Sequence, residues 1–143
     1  MKLKALTLAL VVSLLVLATA VAQAEGKFNY IAPADVKAKM AAGAPLHLMD
    51  IQVEEEFAAH HLKGAYKTTA YPVKSAEEKA KLDGFVALAK KDAAPVVIIC
   101  PRGAGGAERA YDYLKAQGIA ESRLLILEKG QAGWPYPELL EKK

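Results

Sequence analysis

Residues 96–118 constrain this chain more than any other stretch. Val96, Val97, Ile98 and Ile99 form an unbroken apolar, β-branched run, which suits a strand buried on both faces. Cys100, the only cysteine, follows at once, with Gly103, Gly105 and Gly106 close behind. From Ala107 the apolar period changes: Ala107, Ala110, Tyr111 and Leu114 recur at i, i+3, i+4 and i+7, and Gly118 ends the run. The reading is strand, glycine-rich turn, helix. A thiol at the carboxyl end of such a strand faces a helix N-terminus, which offers unpaired N–H groups and partial positive charge. Such surroundings favour the thiolate, the nucleophilic form. Gly103, Ala104, Gly105 and Gly106 are expected to cradle an anion with backbone amides. Arg102 is expected to bind that anion as the nearby cation, and Arg109 is expected on the solvent side of the helix.

The beginning of the chain bears on what that thiol is for. Lys2 and Lys4 precede an apolar run from Leu6 to Ala20 interrupted only by Thr7, Ser13 and Thr19, and Ala22-Gln23-Ala24 fits a small-x-small cleavage site. This predicts a signal peptide over 1–24 and a mature domain over 25–143. The alternative, an uncleaved anchor, would need a longer span. The expected location is therefore outside the cytoplasm, in the periplasm, with no stable membrane association after cleavage. Exported domains use cysteines in pairs; a single cysteine permits no internal disulfide, so Cys100 reads as a thiol kept for chemistry. Cleavage leaves 119 residues and takes the formal charge from +3 to +1, because two lysines leave and no acid does. That balance gives no footprint for nucleic acid.

The remaining chain alternates strands and helices. An edge strand is expected over 28–31, a helix over 34–42 and a strand over 46–51 ending at Asp50. A helix over 53–60 follows, then a turn over 61–65 and a short strand over 66–69. Ser75 and Glu78 form a capping-box pair that opens a helix over 76–90, broken near Asp83-Gly84. A strand over 123–127 leads to a second glycine-containing loop over 128–134, and a short helix over 138–141 ends the chain. The pattern predicts an α/β domain of three layers, with a mainly parallel sheet flanked by helices. Ligands of such sheets bind beyond the carboxyl ends of the strands, where Asp50, Cys100 and Glu128 stand.

Four segments in this order resemble the rhodanese-like (sulfurtransferase) domain family. Leu48-Met49-Asp50-Ile51-Gln52 with Glu56-Phe57 is similar to its first strand and helix. His61-Leu62-Lys63-Gly64-Ala65 resembles its His-x-x-Gly-Ala turn. Cys100 with Gly103 matches the start of its Cys-x-x-Gly loop, and Leu127-Glu128-Lys129-Gly130 with Trp134 resembles its closing segment. The resemblance implies that Cys100 takes sulfane sulfur from a donor such as thiosulfate, becomes a persulfide, and passes the sulfur to cyanide or another thiol. No cofactor or metal is implied. The expected partners are a small sulfur-containing anion and, for the second step, a thiol acceptor or redox partner protein.

The chain also departs from that family. The arginine of a sulfurtransferase loop would fall at Gly105, and that of the related Cys-x5-Arg phosphatases at Gly106. Gln52 replaces the arginine that commonly follows the aspartate. Judged by the apolar period, the loop is one residue longer than usual. Asp50 is expected to fix loop geometry through backbone hydrogen bonds. His61 is expected to bond the turn backbone rather than pair with the thiol, and Trp134 to pack near the pocket rim. His47 and His60 are read as ordinary residues, and three histidines at these spacings do not make a metal site. The rival readings are a phosphatase or arsenate reductase of the related fold, and a non-catalytic binding module.

Overall fold

The computed structural model describes residues 26–143; the expected signal peptide lies outside the described residues. The chain runs through β1 (Tyr30–Ile31), α1 (Pro33–Ala41), β2 (His47–Asp50), α2 (Glu54–Ala59), β3 (His61–Leu62) and β4 (Tyr66–Lys67). It continues through α3 (Ala76–Ala80), α4 (Asp83–Ala89), β5 (Val96–Ile99), α5 (Gly105–Ala116), β6 (Leu124–Leu127) and β7 (Leu140–Glu141). Five strands form a parallel sheet in the order β1-β6-β5-β2-β4. The expected α/β architecture is thus present, with β5 in the middle of the sheet.

The apolar run of β5 is buried at all four positions because helices and loops cover both sheet faces. Side chains alternate across a strand. Val96 and Ile98 therefore join Met49, Leu124 and Ile126 under α4 and α5, which contribute Phe85, Val86, Ala110, Tyr111 and Leu114. Val97 and Ile99 join Leu48 and Leu127 on the other face, against Val36 of α1, Leu62 and Trp134. Each such side chain contributes about 1.5–3 kcal/mol on full burial, so the end of β5 is held from both sides.

Local chemistry explains the breaks. The Ser75 hydroxyl accepts from Glu78 N–H at 3.1 Å while the Glu78 carboxylate accepts from Ser75 N–H at 3.0 Å, the reciprocal cap that starts α3. The predicted interruption near Asp83 separates α3 from α4.

Two expectations need correction. First, α5 begins at Gly105 rather than Ala107, so Gly105 and Gly106 belong to its first turn and the apolar period is no ground for reading the loop as lengthened. Glycines carry no side chain, so the apolar period could not register that turn. Second, the expected helix over 138–141 is a 3₁₀ turn, Pro137–Leu139, followed by β7. β7 pairs antiparallel with β3, inside the segment expected to be only a turn. Two-residue strands are too short to show alternation, and this pair joins segments far apart in sequence.

Candidate active site

Cys100 is the first residue after β5 and is 2% exposed. Its Sγ accepts a hydrogen bond from Gly103 N–H at 2.8 Å. Gly103 has φ +72°, and a Cβ there would lie 2.7 Å from Lys129 N and 2.9 Å from both Gly130 N and Leu127 O. Only glycine fits such a left-handed, backbone-to-backbone approach. The curl it permits turns the amide back onto the sulfur. Ala104 precedes α5 without offering a capping side chain, so no side-chain oxygen competes for the first-turn N–H groups.

The second glycine-containing loop is the floor of the first. Gln131 N–H donates to Cys100 O at 2.8 Å and Ala132 N–H to Pro101 O at 3.0 Å. Gly130 is buried between them and adopts φ +58°, ψ −156°, a region essentially reserved for glycine. Further positive-φ residues cluster at this end of the sheet: Thr69 at 54° and Val73 at 61° flank the Tyr71-Pro72 segment, and Lys129 at 59° precedes Gly130. Such conformations persist where surrounding contacts enforce them. Here the enforcing bonds are Thr68 N–H to Asp50 O at 3.0 Å and Tyr71 N–H to Ile51 O at 2.8 Å.

A cavity of about 90 Å³ opens on the thiol, lined by Tyr71, Cys100, Pro101, Arg102, Ala104, Gly105 and Gly106. The structure thus brings together Cys100, Arg102, Ala104, Gly105 and Gly106. Gly103 acts from behind, through its N–H and its packing. A second cavity, of about 300 Å³, lies on the other side of Pro101 and Arg102 and is lined also by Gln52, Glu56, Ala59, His60, Gln131 and Ala132. The buried side-chain amide of Gln131 has no hydrogen-bond partner among the described residues.

Asp50, His61 and Trp134 stand away from the thiol cavity. Asp50 is fully buried at the end of β2 and accepts from Gln52 N–H at 2.8 Å and Gln52 Nε2–H at 2.9 Å. It organises the turn into α2 rather than the cysteine loop. Burial pushes its carboxyl up to about 6, against the Gln52 hydrogen bonds, which pull it down. His61 stacks on Phe57 at 3.8 Å and its Nδ1 bonds Phe57 O at 2.8 Å. Its partner is the last turn of α2, not the 61–65 turn, and it borders neither cavity. Trp134 is buried with the α1-side core, its Nε1–H donating to Tyr136 O at 2.9 Å. It is a core residue and not part of either rim.

Sequence reasoning missed two groups near the thiol. Tyr71 forms a wall of the cavity, carried by a loop with no motif of its own. Arg109 is not simply solvent-facing: its Nε–H donates to Pro72 O at 2.9 Å, beneath that same loop.

Among curated proteins, none matches this chain. Solved structures do. A rhodanese-like domain from Anabaena sp. aligns with a TM-score of 0.57 at 16% identity, covering 80% of this chain and 79% of that one. A yeast protein tyrosine phosphatase of the rhodanese family gives 0.59 at 18%, covering 76% and 85%. An As-Sb reductase from Leishmania major gives 0.62 at 13%, covering 81% and 86%. At such identities these likenesses establish the fold. The model of the rhodanese-like domain matches residues 32–135, a span that contains β2, the cysteine loop, its glycine floor and Trp134, and the chain therefore belongs to the rhodanese-like domain family.

Proposed function

We propose that this protein is an exported, periplasmic single-domain sulfurtransferase that carries sulfane sulfur on Cys100. The observation that carries the reading is the Gly103 N–H aimed at Cys100 Sγ at 2.8 Å, at the mouth of a small cavity and before the first turn of α5. Thiolate and persulfide are both anions. A backbone donor on that sulfur, beside the positive end of α5, favours the anionic form that both steps need.

The Cys100 thiolate attacks the outer sulfur of thiosulfate, the S–S bond of the donor breaks, and sulfite leaves with the bonding pair. The enzyme is left as the persulfide anion. Cyanide, or a thiolate acceptor, then attacks the terminal sulfur. Thiocyanate, or the acceptor persulfide, departs and the Cys100 thiolate is regenerated. No net proton or electron is required when the thiol partners react as thiolates. An acceptor thiol or partner protein would approach over Pro101 and Arg102, which line both the thiol cavity and the second one.

The phosphatase or arsenate reductase reading drew on a lengthened loop. With α5 beginning at Gly105 that support is gone, and Gly106 stands where the loop arginine of the phosphatases would fall. The test is thiocyanate formation from thiosulfate and cyanide by pre-reduced protein. Activity lost in Cys100→Ser supports the reading. No sulfur accepted from thiosulfate or any other sulfane donor would sink it. Cys100-dependent hydrolysis of an aryl phosphate would favour the phosphatase, and a silent thiol would favour the binding module.

A further inference from the structure

Gly105 and Gly106 carry no side chain, and the space beside each is filled from elsewhere in the chain. A Cβ on Gly105 would lie 2.9 Å from Nη1 of Arg109 and 3.6 Å from its Nη2. A Cβ on Gly106 would lie 2.9 Å from Cδ2 and Cε2 of Tyr71. Helical side chains lean toward the N-terminus, so residue i+4 reaches back over residue i. Arg109 does so over Gly105.

We propose that Arg109, reaching back one turn along α5, is the cation that recognises the anionic substrate beside Cys100, in the space that glycine at 105 leaves open. The fork is already fixed. Its Nε–H is held by Pro72 O at 2.9 Å, which leaves the Nη groups on the Gly105 side. Gly105 borders the thiol cavity, and so do Arg102 and Tyr71, the latter just before the residue that anchors the fork. Arg109 itself lines a neighbouring cavity of about 280 Å³ with Lys79, Asp112, Tyr113 and Ala116, so Gly105 is what separates its Nη groups from the thiol cavity. Asp112, one turn on along α5 and bordering the same cavity as Arg109, pairs with Lys27 at 3.5 Å. Glu108 meets the hydroxyl of Tyr30 at 3.4 Å. Among the described residues no carboxylate forms an ion pair with Arg109. A planar guanidinium matches two oxygens of a tetrahedral oxyanion at once. The ligand class is therefore a small tetrahedral oxyanion. Its identification as the sulfur donor rests on the sulfurtransferase reading; recognition of the oxyanion does not.

The test uses inorganic sulfate, which is unreactive toward the thiol. Sulfate is expected to slow alkylation of Cys100 by iodoacetamide in the unaltered protein. Arg109→Gln should raise the half-protecting concentration about ten- to hundredfold, the range for a lost charge-assisted contact. Arg109→Lys should recover part of the loss. Arg109→Gln combined with Gly105→Arg should recover most of it, by placing a guanidinium in the same space. Thermal unfolding checks that each variant is folded. A half-protecting concentration within twofold of the original in folded Arg109→Gln overturns the proposal, and so does an absence of protection in the unaltered protein. Arg109-dependent protection without sulfur transfer would uphold this inference while removing the sulfurtransferase reading. Sulfur transfer with an unchanged KM for thiosulfate in Arg109→Gln would do the reverse.

Discussion

Replacing Gly130 by alanine should collapse the cysteine loop, because the loop has no other floor. Two effects add. Alanine disfavours φ +58°, ψ −156°, at about 1–3 kcal/mol for a conformation this rare. The new Cβ would also run into Cys100 O and lie 2.5 Å from Gly103 N and 2.7 Å from Arg102 N. These are backbone atoms, so no rotamer relieves the overlap. The loops must part, at about 1–3 kcal/mol for overpacking. Parting strains the Gln131 to Cys100 and Ala132 to Pro101 bonds, each contributing about 1 kcal/mol. The total is on the order of 5 kcal/mol, comparable to the whole stability of a marginal domain. Gly43→Ala is the control: φ is +61°, but no atom lies within 4 Å of the new Cβ, so only a conformational cost of about 1–2 kcal/mol remains. Urea unfolding at constant m gives both values, and the rate of Cys100 alkylation reports the loop. If Gly130→Ala proved no more destabilising than Gly43→Ala, with alkylation unchanged, the reasoning would fail.

Other expectations follow from the same contacts. The Asp50 carboxyl is raised to about 6 by burial, so the folded protein binds a proton that the unfolded chain has released by then. Stability should fall as pH rises from about 4 to about 6 and level off above, by about 3 kcal/mol. Asp50→Asn should flatten that slope in urea midpoints taken across the range; an unaltered slope would assign it elsewhere. Gly106→Ala should displace the Tyr71 ring and speed Cys100 alkylation while costing less than about 2 kcal/mol, because Tyr71 is partly exposed and free to swing out. Adding Tyr71→Ala should restore the lost stability, and failure to do so would argue against that contact. Trp134→Ala should cost about 3–5 kcal/mol in urea unfolding, whereas Trp134→Phe should leave the KM for thiosulfate unchanged; a raised KM would return Trp134 to the pocket rim.

Much of this site was legible because its signals are local. The β-branched run into Cys100, the glycines after it and the Ser75–Glu78 cap each lie within a few residues, and each has one good structural solution. What stayed hidden depends on non-local contact or on atoms that glycine lacks. The start of α5 at Gly105 leaves no apolar mark. The β3–β7 pair joins the turn after α2 to the end of the described chain. Tyr71 reaches the thiol from a loop whose course is set by hydrogen bonds to Asp50 and Ile51. Arg109 looks like an ordinary polar position in the helical period until the missing Cβ of Gly105 is considered. The lack of an arginine at 105 and 106 was visible in the sequence; only the fold shows what occupies the space.

Mass spectrometry of the pre-reduced protein after incubation with thiosulfate tests the central claim most directly. The account predicts a gain of one sulfur atom, localised to Cys100, removed by cyanide with release of thiocyanate and absent from Cys100→Ser. An unmodified Cys100 after exposure to thiosulfate and to other sulfane donors would contradict it.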